Sequence, residues 1–213
     1  MKSKRIATLA LAALAGTGPA CGARSLAAQC DVPPATVKGS TKRVFVTTQI
    51  FPGDFGRNDA GVPAAVVADV ACALEAADAG LSGDFRAWLS TSAGDALPRI
   101  ESDGPWYGQT GTKENATLSR LFDSRAQLTH PMNCLGLFSN ARGEVLTSGD
   151  VTVWTGTNPQ GLRASDTCHD FTSRDLDATS AVGVVNDPRQ WSDAPDTTFR
   201  TCPHGNRFLC FQL

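Results

Sequence analysis

The chain has no apolar run long enough to cross a bilayer as a helix. Its longest, Ile6 to Ala15, falls short of the about 20 apolar residues that a span requires. It has no CxxC pair, which argues against a zinc ribbon or a thioredoxin-like redox motif. Its three histidines, His130, His169 and His204, show no HExxH or HxH spacing, so zinc finds no motif here. There is no GxSxG nucleophile turn. Gly108-Gln109-Thr110-Gly111-Thr112-Lys113 lacks the Gly-Lys-Ser/Thr order of a phosphate loop. These absences leave no candidate catalytic residue and no cofactor, and the expectation is a protein that is not an enzyme.

Basic charge is also scarce once the first segment is set aside. Lys2, Lys4 and Arg5 precede the apolar run and small residues follow it. This is the layout of a secretory signal peptide, expected over residues 1–28. That segment holds four basic residues, with Arg24 the fourth, and no acidic ones. Removing these four from the 19 Lys and Arg leaves 15 against 21 Asp and Glu, a net charge of −6. No basic run survives, so nucleic acid is excluded as a partner, because phosphate binding needs clustered Lys and Arg.

Cys21 follows Gly18-Pro19-Ala20, the position at which bacterial lipoproteins carry their acylated cysteine, although Gly18 stands where Leu is usual. Ordinary cleavage after Ala23 or Ala28 is the alternative. Either route removes Cys21 from the thiol pool and leaves Cys30, Cys72, Cys134, Cys168, Cys202 and Cys210. An even count in an exported chain reads as three disulfides. The expected location is the outer membrane or cell surface as a lipoprotein, or a secreted or periplasmic form. Membrane contact would come only through a lipid anchor.

Residues 29–42 include the Pro-, Thr- and Ser-rich stretch DVPPATVKGSTK and read as a linker or tether. A single domain is expected over 43–213. Arg43 to Thr48 is rich in β-branched and aromatic residues and predicts a strand. Ala64 to Ala79 predicts the one long helix, with Pro63 at its start and Gly80 at its end. Val66, Val70 and Leu74 recur at four-residue spacing and predict its core face. Ala65, Ala68, Cys72, Ala76 and Ala79 form a second face of small residues, suited to close approach. Strands are predicted at Phe85–Leu89, after Gly104-Pro105, at Val151–Thr155 and at Arg207–Gln212. Residues 157–200 read as a long polar excursion. The fold class is α+β, rich in loops.

Taken together, Cys72 on the helix, Cys210 on the last strand, the nested Cys168 and Cys202, and Val153-Trp154-Thr155-Gly156 resemble the C-type-lectin-like superfamily. Within it, the chain is similar to the endostatin-like branch. More closely, it resembles an uncharacterised bacterial family of exported proteins and lipoproteins with an endostatin-like domain. The motifs follow in order: Arg43–Thr47, Ala68–Cys72, Phe85–Ser90, Gly104–Tyr107, Val153–Thr157 and Cys202–Phe211. The resemblance covers residues 42–213. It implies a fold and a location, since no activity is established for that family. It also implies nested disulfides, Cys72–Cys210 outside and Cys168–Cys202 inside, which leaves Cys30–Cys134.

Calcium-dependent lectins supply metal oxygens from a Glu/Gln-Pro-Asn/Asp loop and a Trp-Asn-Asp strand. Here Trp191-Ser192-Asp193 lacks the Asn, and Asn158-Pro159-Gln160 lacks a carboxylate. The expected function is a non-catalytic exported binding module for a carbohydrate or protein ligand, acting through loop region 157–200. Candidate contacts are Arg163, Asp187, Arg189, Trp191 and Asp193, a stacking aromatic among charged hydrogen-bonders. The alternative is a structural envelope or matrix component without a small ligand, with an unrecognised hydrolase third. Because calcium takes about six to eight oxygens and the loop offers only scattered candidates, such as Asp166, Asp170, Asp187 and Asp193, no metal is expected. The melting temperature should be the same in millimolar calcium and in excess chelator. A large calcium-dependent rise abolished by Asp193→Ala would restore the lectin reading.

Overall fold

The computed structural model describes residues 31–32, 41–57, 61–111, 116–134, 139–146, 151–197 and 200–213. The expected signal segment, Cys21, Cys30 and most of the 29–42 tether lie outside them. The Cys30–Cys134 pairing therefore falls outside as well, although Cys134 is disulfide-bonded.

The elements in chain order are β1 (Asp31–Val32), β2 (Lys42–Val46), β3 (Phe51–Pro52), α1 (Ala64–Asp78), β4 (Phe85–Ala87), α2 (Ala96–Arg99), β5 (Trp106–Thr110) and β6 (Thr117–Phe122). A 3₁₀ turn (Arg125–Thr129), β7 (Thr152–Trp154), a turn at Cys168–Phe171, β8 (Val182–Val184), β9 (Gly205–Asn206) and β10 (Leu209–Gln212) follow. The fold is mixed α+β. A six-stranded sheet has the order β1-β6-β5-β2-β10-β4, and β3-β9 and β7-β8 form two-stranded ribbons. Within the stretch read as tether, β1 pairs with β6 at the sheet edge.

The closing strand runs through the middle of this sheet. β10 is antiparallel to β2, with Leu209, Cys210 and Phe211 opposite Val46, Phe45 and Val44. On its other side it pairs with β4, with Cys210 opposite Ala87. Side chains alternate across a strand, so this register sorts the core in two. Val44, Val46, Leu209 and Phe211 pack with Trp88, Trp106, Phe122 and Trp191. Phe45, Ala87 and Cys210 pack with Cys72 and the small residues of α1. In the ladder, Arg43 is partly buried. Burial lowers its guanidinium pKa to about 10, and its Nη2 donates to the side-chain Oε1 of Gln109.

Helix α1 starts after Pro63, whose φ of −58° suits a helix entrance. It ends in a Schellman motif: Leu81 N donates to Ala76 O at 2.9 Å and Gly80 N to Ala77 O at 2.9 Å, with Gly80 at φ +71°. Its buried face is not the expected one. Val66, Val70 and Leu74 are exposed, while Ala64, Ala65, Ala68, Cys72 and Ala76 are buried. The reason is the bridge. Cys72 must face Cys210, so the residues that share its side of the helix, Ala65, Ala68 and Ala76, turn toward β10 and β4 and leave the valine face outside.

The second disulfide, Cys168–Cys202, also forms as the resemblance implied, with a Cα separation of 5.6 Å. The polar excursion holds one strand that was not anticipated. β8 pairs with β7, placing Val182 opposite Trp154 and Val184 opposite Thr152. Its signal was the apolar run Ala181-Val182-Gly183-Val184-Val185, in which every residue is buried. Gly183 is required there because a Cβ would lie 1.9 Å from the Trp191 carbonyl oxygen.

Ala68→Leu should therefore cost about 1–3 kcal/mol through overpacking. Val70→Ser, on the exposed face, should stay within about 0.5 kcal/mol of wild type. Urea midpoints measure both, and the reverse ranking would overturn the assignment of the faces.

Candidate functional site

The excursion after residue 157 is anchored at three levels: by the β7–β8 ribbon, by the Cys168–Cys202 bridge, and by a turn at Cys168–Phe171 whose two end side chains are buried. In that turn Cys168, His169, Asp170 and Phe171 have φ values of 48°, 53°, 61° and 60°. Four successive non-glycine residues are left-handed, a conformation that costs roughly 1–2 kcal/mol each. Local bonds hold it. Phe171 N donates to Thr167 O at 2.6 Å, and Thr172 N and Ser173 N both donate to Cys168 O at 3.1 Å. The Thr167 hydroxyl oxygen accepts from Asp170 N at 3.2 Å. Phe171 is buried and stacks on Phe55, with centroids 4.8 Å apart. The Asp170 carboxylate accepts from both the amide and the hydroxyl of Ser92, each at 2.6 Å.

The consequence is a rigid crest. Cys168 and Phe171 point inward, and His169 is exposed. A cleft of about 370 Å³ on one side is lined by Asp54, Arg57, His169, Thr172, Ser173, Arg174 and Asp175. A cleft of about 350 Å³ on the other is lined by Arg163, Ser165, Asp166, Thr167, His169, Asp177, Ala178 and Thr179. His169 belongs to both. Asp54 and Arg174 form an ion pair at 2.5 Å across the first. Only His169 and Asp170 carry a left-handed preference, and a weak one; the bridge and the buried Phe171 impose the turn.

Of the five expected contacts, Arg163 lines the second cleft, where its Nη2 donates to the Thr167 hydroxyl at 3.3 Å and lies 3.9 Å from Asp170. The other four do not line either cleft. Asp187 accepts from the Arg189 amide at 2.9 Å and closes a turn that leaves Arg189 exposed. Asp193 pairs with Arg200 at 2.7 Å. Trp191, expected to offer a stacking face, is 2 % exposed. Its ring lies 5.1 Å from Trp88 and 4.9 Å from Phe122, and its Nε1 donates to His130 O at 3.0 Å. It is a core residue because β8 and Gly183 draw the 191–192 backbone inward.

Among the described residues, no three His, Cys, Asp or Glu side chains gather where a metal ion could be held. The four candidate carboxylates illustrate this. Asp170 serves Ser92, Asp187 a turn and Asp193 an arginine, while Asp166 accepts from Ser165 at 3.3 Å.

A larger cleft, about 500 Å³, lies beside α1 and is lined by Thr47, Thr48, Gln49, Phe51, Ala71, Leu74, Glu75, Asp78, Asn140, Arg142 and Glu144. Glu75 accepts from the Thr48 amide at 2.7 Å and from its hydroxyl at 2.9 Å. Asn140 donates to that hydroxyl at 3.0 Å and to Glu144 at 2.8 Å. Nearby Arg207 donates to the carbonyls of Thr47 and Thr48. Burial lowers its pKa, and the charge of Glu75 acts in the opposite sense.

No family model matches the chain, and no curated protein matches it.

The placement of Trp191 has a direct test. Trp191→Ala should destabilise the domain by about 3–5 kcal/mol, whereas Arg189→Ala should change stability by less than about 0.5 kcal/mol. Chemical denaturation separates them. A Trp191→Ala variant of wild-type stability would return this ring to the candidate contacts.

Proposed function

We propose that the chain is an exported, non-catalytic binding module with an endostatin-like, C-type-lectin-like domain. Its ligand site is the His169 crest within loop region 157–200. The nested bridges Cys72–Cys210 and Cys168–Cys202 support the fold assignment. Disulfides also support an oxidising compartment outside the cytoplasm, and acylation at Cys21 belongs to the same proposal. The observation that carries the reading is the left-handed turn. A conformation this costly persists only where its surroundings over-determine it, and such turns cluster at functional sites, ligand clamps among them.

Of the two ligand classes, the side chains favour a protein. Sugars are held by stacking on exposed rings as well as by hydrogen bonds. Here Trp88, Trp106, Trp154, Trp191 and Tyr107 are all buried. Both clefts are instead rimmed by charges of either sign, Arg57, Arg174 and Arg163 with Asp54, Asp175, Asp166 and Asp177. That suits the mixed charges of a protein epitope.

The exported chain, displayed on parallel protein and glycan arrays, tests this. Expected is a protein ligand whose affinity falls about tenfold in His169→Ala and Arg163→Ala, the loss of roughly one hot-spot contact. A glycan ligand that needs neither residue would overturn the protein assignment. Silence on both arrays would favour the structural envelope component instead.

A further inference from the structure

The crest is also held from outside its own loop. Thr91 to Gly94 form a tight hairpin turn, in which Thr91 N donates to Gly94 O at 3.0 Å and Gly94 N to Thr91 O at 3.1 Å. The root of this hairpin is buried and tied to the start of the excursion. Ser90 N donates to Thr155 O at 2.8 Å. The Ser90 hydroxyl lies 2.9 Å from that of Thr157 and accepts from Ala96 N at 2.8 Å. Just past the hairpin, Leu97 N donates to Gly161 O at 3.1 Å.

From that fixed root the hairpin reaches the second cleft twice. Ser92 donates its amide and its hydroxyl to the two carboxylate oxygens of Asp170, each at 2.6 Å. Asp95 Oδ1 accepts from the Arg163 amide, also at 2.6 Å. Short bonds to a carboxylate are the stronger kind. Asp170 is the neighbour of His169 in the left-handed turn. Arg163 ends the arm that begins at its bridge partner Thr157. Arg163 and His169 both line the second cleft, so one hairpin holds the backbone behind both.

Asp95 gives up a local bond to do this. It directly precedes α2 with the extended backbone of a cap residue, φ −78° and ψ 152°, yet its side chain makes no cap bond. Aspartate in that place ordinarily accepts from an amide of its own helix. Here the carboxylate is turned to a segment 68 positions away. A local preference set aside for a distant contact is the mark of a functional or strained site. The bonds of Ser92 and Asp95 are exposed, and water competes for exposed partners, so their net contribution to global stability is small. What they fix is local: the place of Asp170 and of the Arg163 backbone.

We infer that Ser92 and Asp95 are positioning residues of the ligand site: the 91–95 hairpin holds Arg163 and His169 at the spacing the ligand requires. The inference rests on the His169 crest being that site. Neither residue lines a cleft. Without them the competent spacing is one of several, and apparent affinity falls by the fraction of chains that hold it. That loss appears as slower association, whereas losing a contact residue mostly speeds dissociation.

Amide hydrogen exchange of the exported chain tests the positioning without a ligand. Ser92→Ala should speed exchange at the bonded amides of residues 171–173, and Asp95→Ala at that of Ala164. About tenfold is expected, the loss of one charge-assisted bond, with the β10 amides at wild-type rates. Ser92→Thr keeps the hydroxyl and Asp95→Asn keeps an acceptor oxygen, so both should exchange like wild type. For binding, a displayed random peptide library is panned on the wild-type chain. Selected peptides that weaken with His169→Ala should also weaken about fivefold to tenfold in Ser92→Ala and Asp95→Ala. The loss should lie in association, and Ser92→Thr and Asp95→Asn should recover it. Unchanged exchange in both alanine variants overturns the inference whatever binds. Faster exchange with peptide affinity intact overturns the positioning role and leaves the His169 site standing. A loss confined to dissociation makes the two residues ligand contacts and overturns it too. A library that yields no His169-dependent peptide overturns the ligand site itself, and the positioning role with it.

Discussion

The fold depends on one placement: the last strand lies between β2 and β4 and is bolted to α1 through Cys72–Cys210. The bond joins residues 138 positions apart, so it closes nearly the whole domain into a loop and removes a large share of the unfolded chain's freedom. It also dictates what surrounds it. Cys210 must face α1, so its neighbours Leu209 and Phe211 must face the other way. That sends Phe211 among Trp88, Trp106, Phe122 and Trp191. The half of the core around Trp88, Trp106 and Trp191 and the half around α1 and Phe45 are thus sorted by a single residue's orientation.

The parts of this arrangement with local causes were legible in the sequence. Pro63 and Gly80 bracket α1 because each has a backbone conformation that begins or ends a helix. The β-branched run at 43–46 reads as a strand and is one. The face of α1 was not legible by the same means. Periodicity assigns the core to the largest residues, and Val66, Val70 and Leu74 satisfy it. What reverses the assignment is a contact 138 residues away that demands small side chains. Among the candidate contacts, Asp193 and Trp191 looked alike as polar-loop residues. Arg200 takes up the first and the rings of Trp88, Phe122 and Phe211 surround the second, and neither set of partners is apparent from spacing alone.

The left-handed turn follows from the second bridge in a comparable way. Cys168 must reach Cys202 while Phe171, three residues on, must enter the cluster with Phe55 and Trp154. A right-handed turn would also bring residues three apart to one side, but Thr167 and Ser92 already hold the intervening Asp170 in its left-handed position. The strain is therefore spread over a bridge, a ring stack and a carboxylate, and no one of them alone would be enough to maintain it. Such over-determination leaves His169 with little freedom to lose on binding, which is the condition under which a small contact surface becomes useful.

The tryptophans show what the fold leaves for recognition. Each indole N–H is committed inside: Trp88 to Ser192, Trp106 to Gln212, Trp154 to Phe51 and Trp191 to His130. Each bond joins segments more than sixty residues apart. An irregular domain with few long helices or strands has few repeating hydrogen-bond ladders to align distant segments, and buried indoles do that work here. The side chains best suited to stacking are consumed in holding loops together. What remains at the surface is charged side chains around a fixed histidine and an apolar stripe on α1. On α1 the bridge turns the alanines inward, and that alone leaves Val66, Val70 and Leu74 to face outward.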